Sequence, residues 1–335
     1  MEELPKFTIS IPVYNSSRYL GSCLKSINNQ DYPKDKIEII TADGGSSDNT
    51  VDIAKNFGAK VYDNPGRLGD YGAKIIAGQA SGDLLVVFAA DNELVGRDWL
   101  RRVAEVFIAN PDLAALWGRI ISGLKDAPIN KYYALIQSDP ISYFINKNLN
   151  YYLKENLMKK SSPFGDYFLF NVNPDRQLCW GANGLVYRLN LVRDIILREE
   201  YVGDNEVFQY MIQKGNNIVA YLPDLEIIHH HIDSIRGWIS KWRRNLTTLF
   251  FAYAGQRRID WAFRQNFKLK LIYWLFYSLF FPLSLLHSIF LAIKDRSIYW
   301  LFHPLMSFIQ TVVYAFYTLK QKRGIKILLN YGQVR

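Results

Sequence analysis

The chain has few of the residues that mark secreted or redox proteins. Only two of its 335 residues are cysteines, Cys23 and Cys179, and no metal-binding or redox spacing relates them. We expect two reduced thiols, although sequence alone leaves a bridge between them open. The first 15 residues have neither a basic segment nor a long apolar run, so they do not resemble a signal peptide. We therefore expect the first domain to stay in the cytoplasm.

Two common phosphate-binding loops are also missing from the sequence. No G-x-G-x-x-G follows the first apolar strand, which disfavours a nicotinamide-binding fold, and the absence of G-x-x-x-x-G-K-[ST] disfavours a P-loop. The formal net charge is nevertheless +9. A positive net charge indicates phosphorylated ligands, an anionic membrane surface or nucleic acid as binding partners. Because no nucleic-acid-binding motif is recognisable, we expect no nucleic acid partner.

Two stretches of the C-terminal third lack charge altogether. Residues 271–293 and 298–319 contain no Asp, Glu, Lys or Arg. Each stretch has the length of about 20 residues that a membrane-spanning helix needs. Basic residues flank the pair at both outer ends, which predicts an inside–outside–inside hairpin at the cell membrane with the catalytic domain on the cytoplasmic side. Proline and histidine within the stretches leave re-entrant or interfacial helices open.

The first domain alternates between strand and helix patterns. Strands are predicted at 7–14, 37–42, 59–63 and 83–90, and returning strands at 184–189 and 217–223, with helices at 18–30 and 68–80. This alternation predicts an α/β fold with a mostly parallel sheet flanked by helices. Residues 125–180 read as loops with short helices.

Two carboxylates follow the fourth predicted strand, in the stretch "FAADNELVG" at residues 88–96. Asp91 and Glu93 are one residue apart, at the edge where open α/β sheets bind ligands. A turn is one reading of such a pair. The other is a Mg²⁺ or Mn²⁺ site, because these ions take carboxylate and phosphate oxygens.

A third carboxylate, Asp43, follows the second predicted strand and precedes Gly44 and Gly45. Glycines at this position allow a sharp turn and a close approach to a ligand. A strand-end carboxylate can accept hydrogen bonds from a nucleoside, and a plain turn is the alternative.

Five segments in this order resemble the family 2 glycosyltransferases, which have the GT-A fold. The segments are "ISIPVYN", "ADGGSSDNT", "AADNE", "CWGANGLVYR" and "VGDNEVFQYMIQKG", and their order and spacing fit the family throughout residues 7–231. Each is weak alone, and their order carries the resemblance.

The resemblance implies a site for a nucleotide-sugar donor, with UDP, GDP or dTDP as the nucleotide. Pro12, Tyr14, Asp43, Lys74 and Asp91 match positions that hold the donor. One acid of the usual Asp-Asp-Gly-Ser turn is missing, which leaves the nucleobase open. A solvated helix lysine is the alternative for Lys74.

The resemblance also implies a metal site and its ligands. The family's D-x-D motif falls on Asp91 and Glu93, which implies Mg²⁺ or Mn²⁺, and His229 is the best match to a further ligand. A polar loop, or a contact from His229 to the diphosphate, is the alternative.

The catalytic base and the acceptor loop follow from the same resemblance. Asp204 falls on the base position, although Gly203 and Tyr210 depart from the family pattern. An acid stabilising a helix N-terminus is the alternative for Asp204. The acceptor-side loop falls on Trp180, Gly181, Ala182 and Asn183, where the indole offers a stacking face for a sugar.

The domains expected are a GT-A domain at 1–232, a basic and aromatic interfacial helix region at 233–266, and two hydrophobic helices with a basic tail at 267–335. The expected activity is metal-assisted, inverting transfer of a sugar to a hydroxyl of a lipid-linked or membrane-assembled glycan. A polyprenyl-phosphate sugar synthase and a non-catalytic membrane scaffold remain alternatives. A nucleotidyltransferase is disfavoured, because "PVYNSSRY" is not a glycine-rich basic phosphate loop.

Overall fold

The computed structural model describes residues 3–145, 158–163, 165–174, 183–200, 202–251 and 267–329. The chain divides into two units. The first comprises Met1–Ile121 and Leu149–His230, and the second comprises Ser122–Asn148 and His231–Arg335.

The first unit is built on a ten-stranded sheet with the order β3-β2-β1-β4-β9-β6-β10-β8-β7, in which β5 pairs with β10. Its strands are β1 (Phe7–Val13), β2 (Ile37–Asp43), β3 (Lys60–Asp63), β4 (Leu84–Val87), β5 (Asn92–Leu94), β6 (Ala115–Ile121), β7 (Met158–Ser162), β8 (Gly165–Asn171), β9 (Leu185–Arg188) and β10 (Ile218–His229).

The helices are α1 (Ser17–Asn28), α2 (Thr50–Asn56), α3 (Gly69–Gln79), α4 (Trp99–Ala109), α5 (Pro128–Ile136), α6 (Pro140–Ile145), α7 (Leu189–Arg198), α8 (Asp204–Gln213), α9 (Ile235–Arg244), α10 (Phe267–Leu279), α11 (Phe281–Lys294), α12 (His303–Lys320) and α13 (Lys322–Leu329). Short 3₁₀ turns cover Lys34–Lys36 and Ile298–Phe302, and a π-helical segment, Asn245–Phe250, continues α9. The predicted alternation of strand and helix is confirmed.

Parallel pairing joins the first four strands, and β6 also pairs in parallel with β10. β1 pairs in parallel with β2 and β4, and β2 with β3. β9 then enters antiparallel to both β4 and β6, and β8 and β5 run antiparallel to β10. The sheet is therefore mixed. The β7–β8 hairpin lies in a segment predicted as loops and short helices, and that prediction was wrong there, because lysines and serines of β7 obscure the strand pattern.

Both faces of the sheet are covered, which explains why the first strands are so apolar. On β4, Leu84 and Val86 join one core cluster, and Leu85 joins the other. Alternate residues of a strand point to opposite faces, so the two clusters lie on opposite sides of the sheet. Helix α1 buries Leu20, Cys23, Leu24 and Ile27, the spacing of one helical face.

The second unit is helical and has an aromatic core. Tyr132, Tyr133, Trp238, Trp242 and Trp300 are buried together. Helix α9 begins after Ser234, whose Oγ accepts a hydrogen bond of 3.1 Å from the Gly237 N–H. This N-cap satisfies one of the free N–H groups at the start of the helix.

The uncharged stretch at 271–293 is divided between two helices, α10 and α11, which meet at Phe280 just before Pro282. None of the described helices is by itself both long and apolar enough to cross a bilayer. Leu269–Leu279 and Phe281–Lys294 meet the requirement only as a pair, across a bend of 84°.

Candidate functional site

The carboxyl ends of β1 and β2 bring three of the predicted donor-site residues together. Parallel pairing sets Pro12 beside Ala42 and Val13 beside Asp43. Tyr14 follows directly, with its ring 55% exposed. The Gly44 N–H donates to the Val13 carbonyl at 2.9 Å, and a Cβ at Gly44 would lie 3.4 Å from the Tyr14 Cβ. Pro12, Tyr14 and Asp43 thus lie at one edge of the sheet.

The carboxylate of Asp43 organises the turn after β2. It accepts hydrogen bonds from the N–H groups of Gly45 and Ser46, at 3.1 and 3.0 Å, and from the Ser46 hydroxyl. Gly45 adopts a φ of +85°, which favours glycine. The Ser46 Oγ in turn accepts from the Asn15 N–H at 2.8 Å. Asp43 therefore holds the turn in shape, and its carboxylate is largely engaged by the turn itself.

Lys74 forms hydrogen bonds to backbone carbonyls that follow α7. Its ammonium donates to the carbonyls of Glu199 and Glu200, at 2.6 and 3.4 Å. These carbonyls follow the end of α7, so Lys74 ties α3 to α7.

Asp91 lies in the turn after β4, which ends at Val87 rather than at the predicted residue 90, and Glu93 is the middle residue of the short strand β5. β5 pairs antiparallel with the end of β10, so that Asn92 lies opposite His229 and Glu93 opposite Ile228. The His230 N–H donates to the Asp91 carbonyl at 2.9 Å and extends this pairing by one residue. His229, the last residue of β10, and His230 are thereby brought to the two carboxylates, although more than 130 residues separate them along the chain.

Each carboxylate has its own imidazole partner. The Asp91 Oδ1 lies 3.5 Å from the His229 Nε2, and the Glu93 Oε1 lies 3.1 Å from the His230 Nε2. His229 is only 2% exposed, whereas both carboxylates are partly accessible. Two ligands of an octahedral ion at about 2.1 Å lie about 3 Å apart, so the Asp91–His229 spacing is close to what a shared divalent cation requires.

Asn183, two residues before β9, joins the Asp91–His229 pair. Its Nδ2 lies 3.3 Å from Nδ1 and 3.5 Å from Nε2 of His229. Asn183 was predicted on the acceptor side, and its neighbours Trp180, Gly181 and Ala182 lie outside the described residues. The last residue of the predicted acceptor loop therefore contacts the predicted metal ligand.

His230 and Tyr19 were not predicted as site residues. The His230 ring stacks on the Tyr19 ring, with centroids 4.8 Å apart and planes 5° apart. This stack fixes the imidazole that binds Glu93 and connects it to α1. The three consecutive histidines were a signal for His230, but nothing in the sequence pointed to Tyr19.

In the second unit, His231 has partners of its own. Its ring stacks on Tyr133 at 4.3 Å, and the Lys241 ammonium donates to its Nδ1 at 2.9 Å.

The pKa of the Cys23 thiol is affected by the charges of the two carboxylates. Burial, with a further contribution from the charges of Asp91 and Glu93, raises the pKa of Cys23 well above its ordinary value. Cys23 is a free, buried thiol. The negative field that opposes its ionisation is the field that attracts a cation, so the donor set and its charge fit Mg²⁺ or Mn²⁺.

Asp204 is the first residue of α8, directly after Gly203. The position of its side chain lies outside what the structure describes. On the same helix, Glu206 and Gln209 are buried, at 1% and 4% exposed.

The family match and the related proteins both indicate glycosyltransferases. Residues 8–174 match the family described as Glycosyl transferase family 2. Over 171 residues the chain is 30% identical to the dolichyl N-acetyl-alpha-D-glucosaminyl phosphate 3-beta-D-2,3-diacetamido-2,3-dideoxy-beta-D-glucuronosyltransferase of Methanococcus voltae, covering 48% of this chain and 52% of that protein. Over 105 residues it is 33% identical to glycosyltransferase AglE of Haloferax volcanii, covering 30% of this chain and 34% of AglE. The chain thus spans about half or less of the length of these relatives.

A solved structure extends the similarity over most of the chain. The mannosyltransferase PcManGT of Pyrobaculum calidifontis, in complex with GDP-Man and Mn²⁺, superimposes with a TM-score of 0.53 at 16% identity. The alignment covers 92% of this chain and 87% of PcManGT. At this identity the similarity shows the fold, and the predicted GT-A fold is confirmed.

Proposed function

Because this chain is a family 2 glycosyltransferase with the GT-A fold, we propose that it catalyses metal-assisted, inverting transfer of a sugar from a nucleotide-sugar donor to a hydroxyl of a lipid-linked glycan. The observation that carries the proposal is the Asp91–His229 pair, 3.5 Å apart at the carboxyl edge of the sheet. Open α/β sheets bind their ligands at this edge.

The donor lies along the ends of β1 and β2. Pro12 and Tyr14 form one wall, and the exposed Tyr14 ring offers a face on which a nucleobase stacks. Asp43 keeps the Gly44–Gly45 turn open to the nucleoside through its hydrogen bonds to that turn. UDP, GDP and dTDP sugars are the candidate donors.

Asp91, His229 and Glu93 would hold Mg²⁺ or Mn²⁺ beside the donor. The ion would neutralise charge on the leaving nucleoside diphosphate. The Glu93 Oε1 is engaged by the His230 Nε2 at 3.1 Å, so Glu93 would bind the ion through its other oxygen or by giving up this contact. Asp91 and His229 are therefore the primary ligands in our proposal.

Asp204 removes the proton from the acceptor hydroxyl. The hydroxyl oxygen forms a bond to the anomeric carbon, the bond from that carbon to the phosphate oxygen breaks, and the nucleoside diphosphate leaves with the electron pair. Attack opposite the leaving group inverts the anomeric configuration. General-base assistance of this kind is worth about 10²- to 10⁴-fold in rate.

The acceptor proposal rests on the acceptor-side loop and on the relatives. Trp180, Gly181, Ala182 and Asn183 match the family's acceptor loop, and Asn183 contacts His229. The M. voltae relative is named for transfer to a dolichyl sugar phosphate. A lipid-linked acceptor requires work at a membrane, and we propose the cytoplasmic face of the cell membrane.

Thermal unfolding of the purified full chain against UDP-, GDP- and dTDP-sugars, with and without Mn²⁺, tests the donor site. A ligand at 100 times its Kd stabilises the folded state by about 2.7 kcal/mol. We expect a Mn²⁺-dependent increase with one nucleotide, its loss in Asp91→Ala and its retention in Asp35→Ala, which removes an exposed acid elsewhere. No increase with any donor, in protein shown to be folded, would contradict the proposal.

A further inference from the structure

The positive charge of the chain is concentrated in the second unit. Ser122–Asn148 and His231–Arg335 contain 19 Lys and Arg residues against 5 Asp and Glu residues, a formal net charge of +14. The first unit contains 21 against 26, a net charge of −5. The excess of +9 over the whole chain therefore comes entirely from the second unit.

The exposed apolar side chains are concentrated in the same unit. Among the described residues, 27 large hydrophobic side chains are exposed, and 22 of them lie between Leu269 and Leu329. They include Phe276 at 59%, Leu286 at 67%, Phe290 at 61% and Ile293 at 74% exposure. A water-soluble surface rarely carries so many large apolar groups, so this surface has a partner.

Helix α13 combines both properties within eight residues. It packs through Gly324 and Ile327, which are buried, while its other residues are exposed. A Cβ at Gly324 would lie 2.5 Å from the Thr318 carbonyl oxygen, so this glycine allows α13 to lie directly against α12. Ile327 packs with Leu246 and Phe251. The orientation of α13 on the unit is therefore fixed.

The exposed part of α13 has a basic sector and an apolar sector. At about 100° per residue, Lys322, Arg323 and Lys326 fall on one flank of the packed face. Ile325, Leu328 and Leu329 fall on the other flank and are 37%, 38% and 73% exposed. A helix that lies in a membrane interface combines such sectors, because lysines reach phosphate groups while apolar side chains enter the acyl boundary.

Helix α9 adds positive charge to the surface of the second unit, while its tryptophans are buried in the core. Trp238 and Trp242 are buried in the core of the unit, at 2% and 3% exposed. Arg236, Arg243 and Arg244 are exposed on the same helix. Helix α9 therefore presents basic residues and no exposed large apolar side chain, whereas α13 presents both.

We propose that the second unit binds the surface of an anionic bilayer, with α13 lying in the headgroup plane. Charge complementarity selects this occupant, because anionic lipids attract a unit of net charge +14, whereas two copies of such a unit repel each other. The proposal does not depend on the sugar donor or on the metal, so it can fail or succeed independently of the proposed reaction.

Vesicle flotation of the full-length protein tests this binding. The detergent-purified chain is exchanged into vesicles of phosphatidylcholine alone or with 30 mol% phosphatidylglycerol. Each lysine near an anionic surface is worth about 1 kcal/mol, so Lys322→Gln with Lys326→Gln should weaken binding to the anionic vesicles about 30-fold. Leu329→Ser should weaken binding to both kinds of vesicle by about tenfold.

The matched control is Lys55→Gln with Lys214→Gln, which removes two exposed lysines from the first unit. This variant should bind both vesicles as the wild-type chain does, and all variants should unfold at the same temperature. Equal binding of the wild-type chain to both vesicle compositions would overturn the proposal. An equal loss of vesicle binding in the control variant would also overturn it. The same holds if the chain forms a lipid-free dimer that binds no vesicles and that Leu329→Ser dissociates.

Discussion

The carboxylate of Asp91 and the imidazole of His229 lie 3.5 Å apart, Oδ1 to Nε2, although 137 other residues separate them in the sequence. The turn after β4 supplies the first, and the last residue of β10 supplies the second. Their meeting depends on the short antiparallel pairing between β5 and β10, which sets Asn92 opposite His229. The site is therefore a product of sheet topology rather than of local sequence.

Replacing His229 tests whether this pair binds the metal. We expect His229→Gln to weaken Mn²⁺ binding, measured calorimetrically in the presence of donor, by at least about tenfold, because one ligand is lost from a buried position. His287→Gln serves as the control, since its Nδ1 is hydrogen-bonded to Tyr277 within the second unit. An unchanged Mn²⁺ affinity in the His229 variant would exclude this histidine as a ligand.

The two carboxylates of the motif should contribute unequally. Glu93 lies 3.1 Å from His230, which Tyr19 holds by stacking, whereas the Asp91 carboxylate lies 3.5 Å from the buried His229. We therefore expect Asp91→Asn to weaken Mn²⁺ binding more than Glu93→Gln does. Titration of Mn²⁺ into both variants decides the point, and a larger effect at Glu93 would reverse our assignment of the primary ligand.

The carboxylate of Glu38 should make the first unit sensitive to acid. Burial alone would raise the pKa of Glu38, but hydrogen bonds from Lys60, Ser81 and Thr8 outweigh burial and lower the pKa to about 2 from 4.5. Four hydrogen bonds from these three residues join β1, β2, β3 and the turn before β4, at distances of 2.7 to 2.9 Å.

A group with a lowered folded-state pKa stabilises the protein above its unfolded-state pKa and loses that effect as pH falls towards the folded-state value. We expect Glu38→Gln to lower the free energy of unfolding by about 2 kcal/mol at pH 7, after allowance for solvent around the half-exposed Lys60. The difference from wild type should shrink as pH falls from 4.5 towards 2. Urea unfolding at pH 7, 4 and 3 measures it, and a difference independent of pH would contradict the assignment.

Gly118 should be irreplaceable because of a close backbone approach. The pairing of β6 with β10 shifts register between Tyr221 and Glu226, and a Cβ at Gly118 would lie 1.8 Å from the Leu225 carbonyl oxygen. We expect Gly118→Ala to cost about 3 kcal/mol or more in unfolding free energy, and to weaken Mn²⁺ binding by displacing the strand that ends at His229. Gly21→Ala is the control, because open space surrounds Gly21 in α1, and it should stabilise slightly.

Sequence patterns predicted the parts of the fold that are local. The first four strands and their helices follow from apolar runs, and Asp43 lies at the end of β2 as expected, whereas Asp91 lies in the turn between β4, which ends at Val87, and β5. The antiparallel entry of β9 between β4 and β6 has no local signal, because strand direction depends on pairing partners far away in the chain. The stack of Tyr19 on His230 was missed for the same reason, since residue spacing does not reveal contacts between α1 and the end of β10.

Replacing Asp204 distinguishes a sugar hydroxyl acceptor from a polyprenyl phosphate acceptor. A sugar hydroxyl must lose its proton during attack, whereas a polyprenyl phosphate is already ionised and needs no base. If the acceptor is a hydroxyl, Asp204→Asn should lower kcat by about 10²- to 10⁴-fold and leave donor-dependent thermal stabilisation unchanged. Glu200→Gln, an exposed acid before α8, should keep full kcat. Full turnover by Asp204→Asn with intact donor binding would remove the base assignment and favour a phosphate acceptor, because an acceptor that is ionised beforehand needs no base.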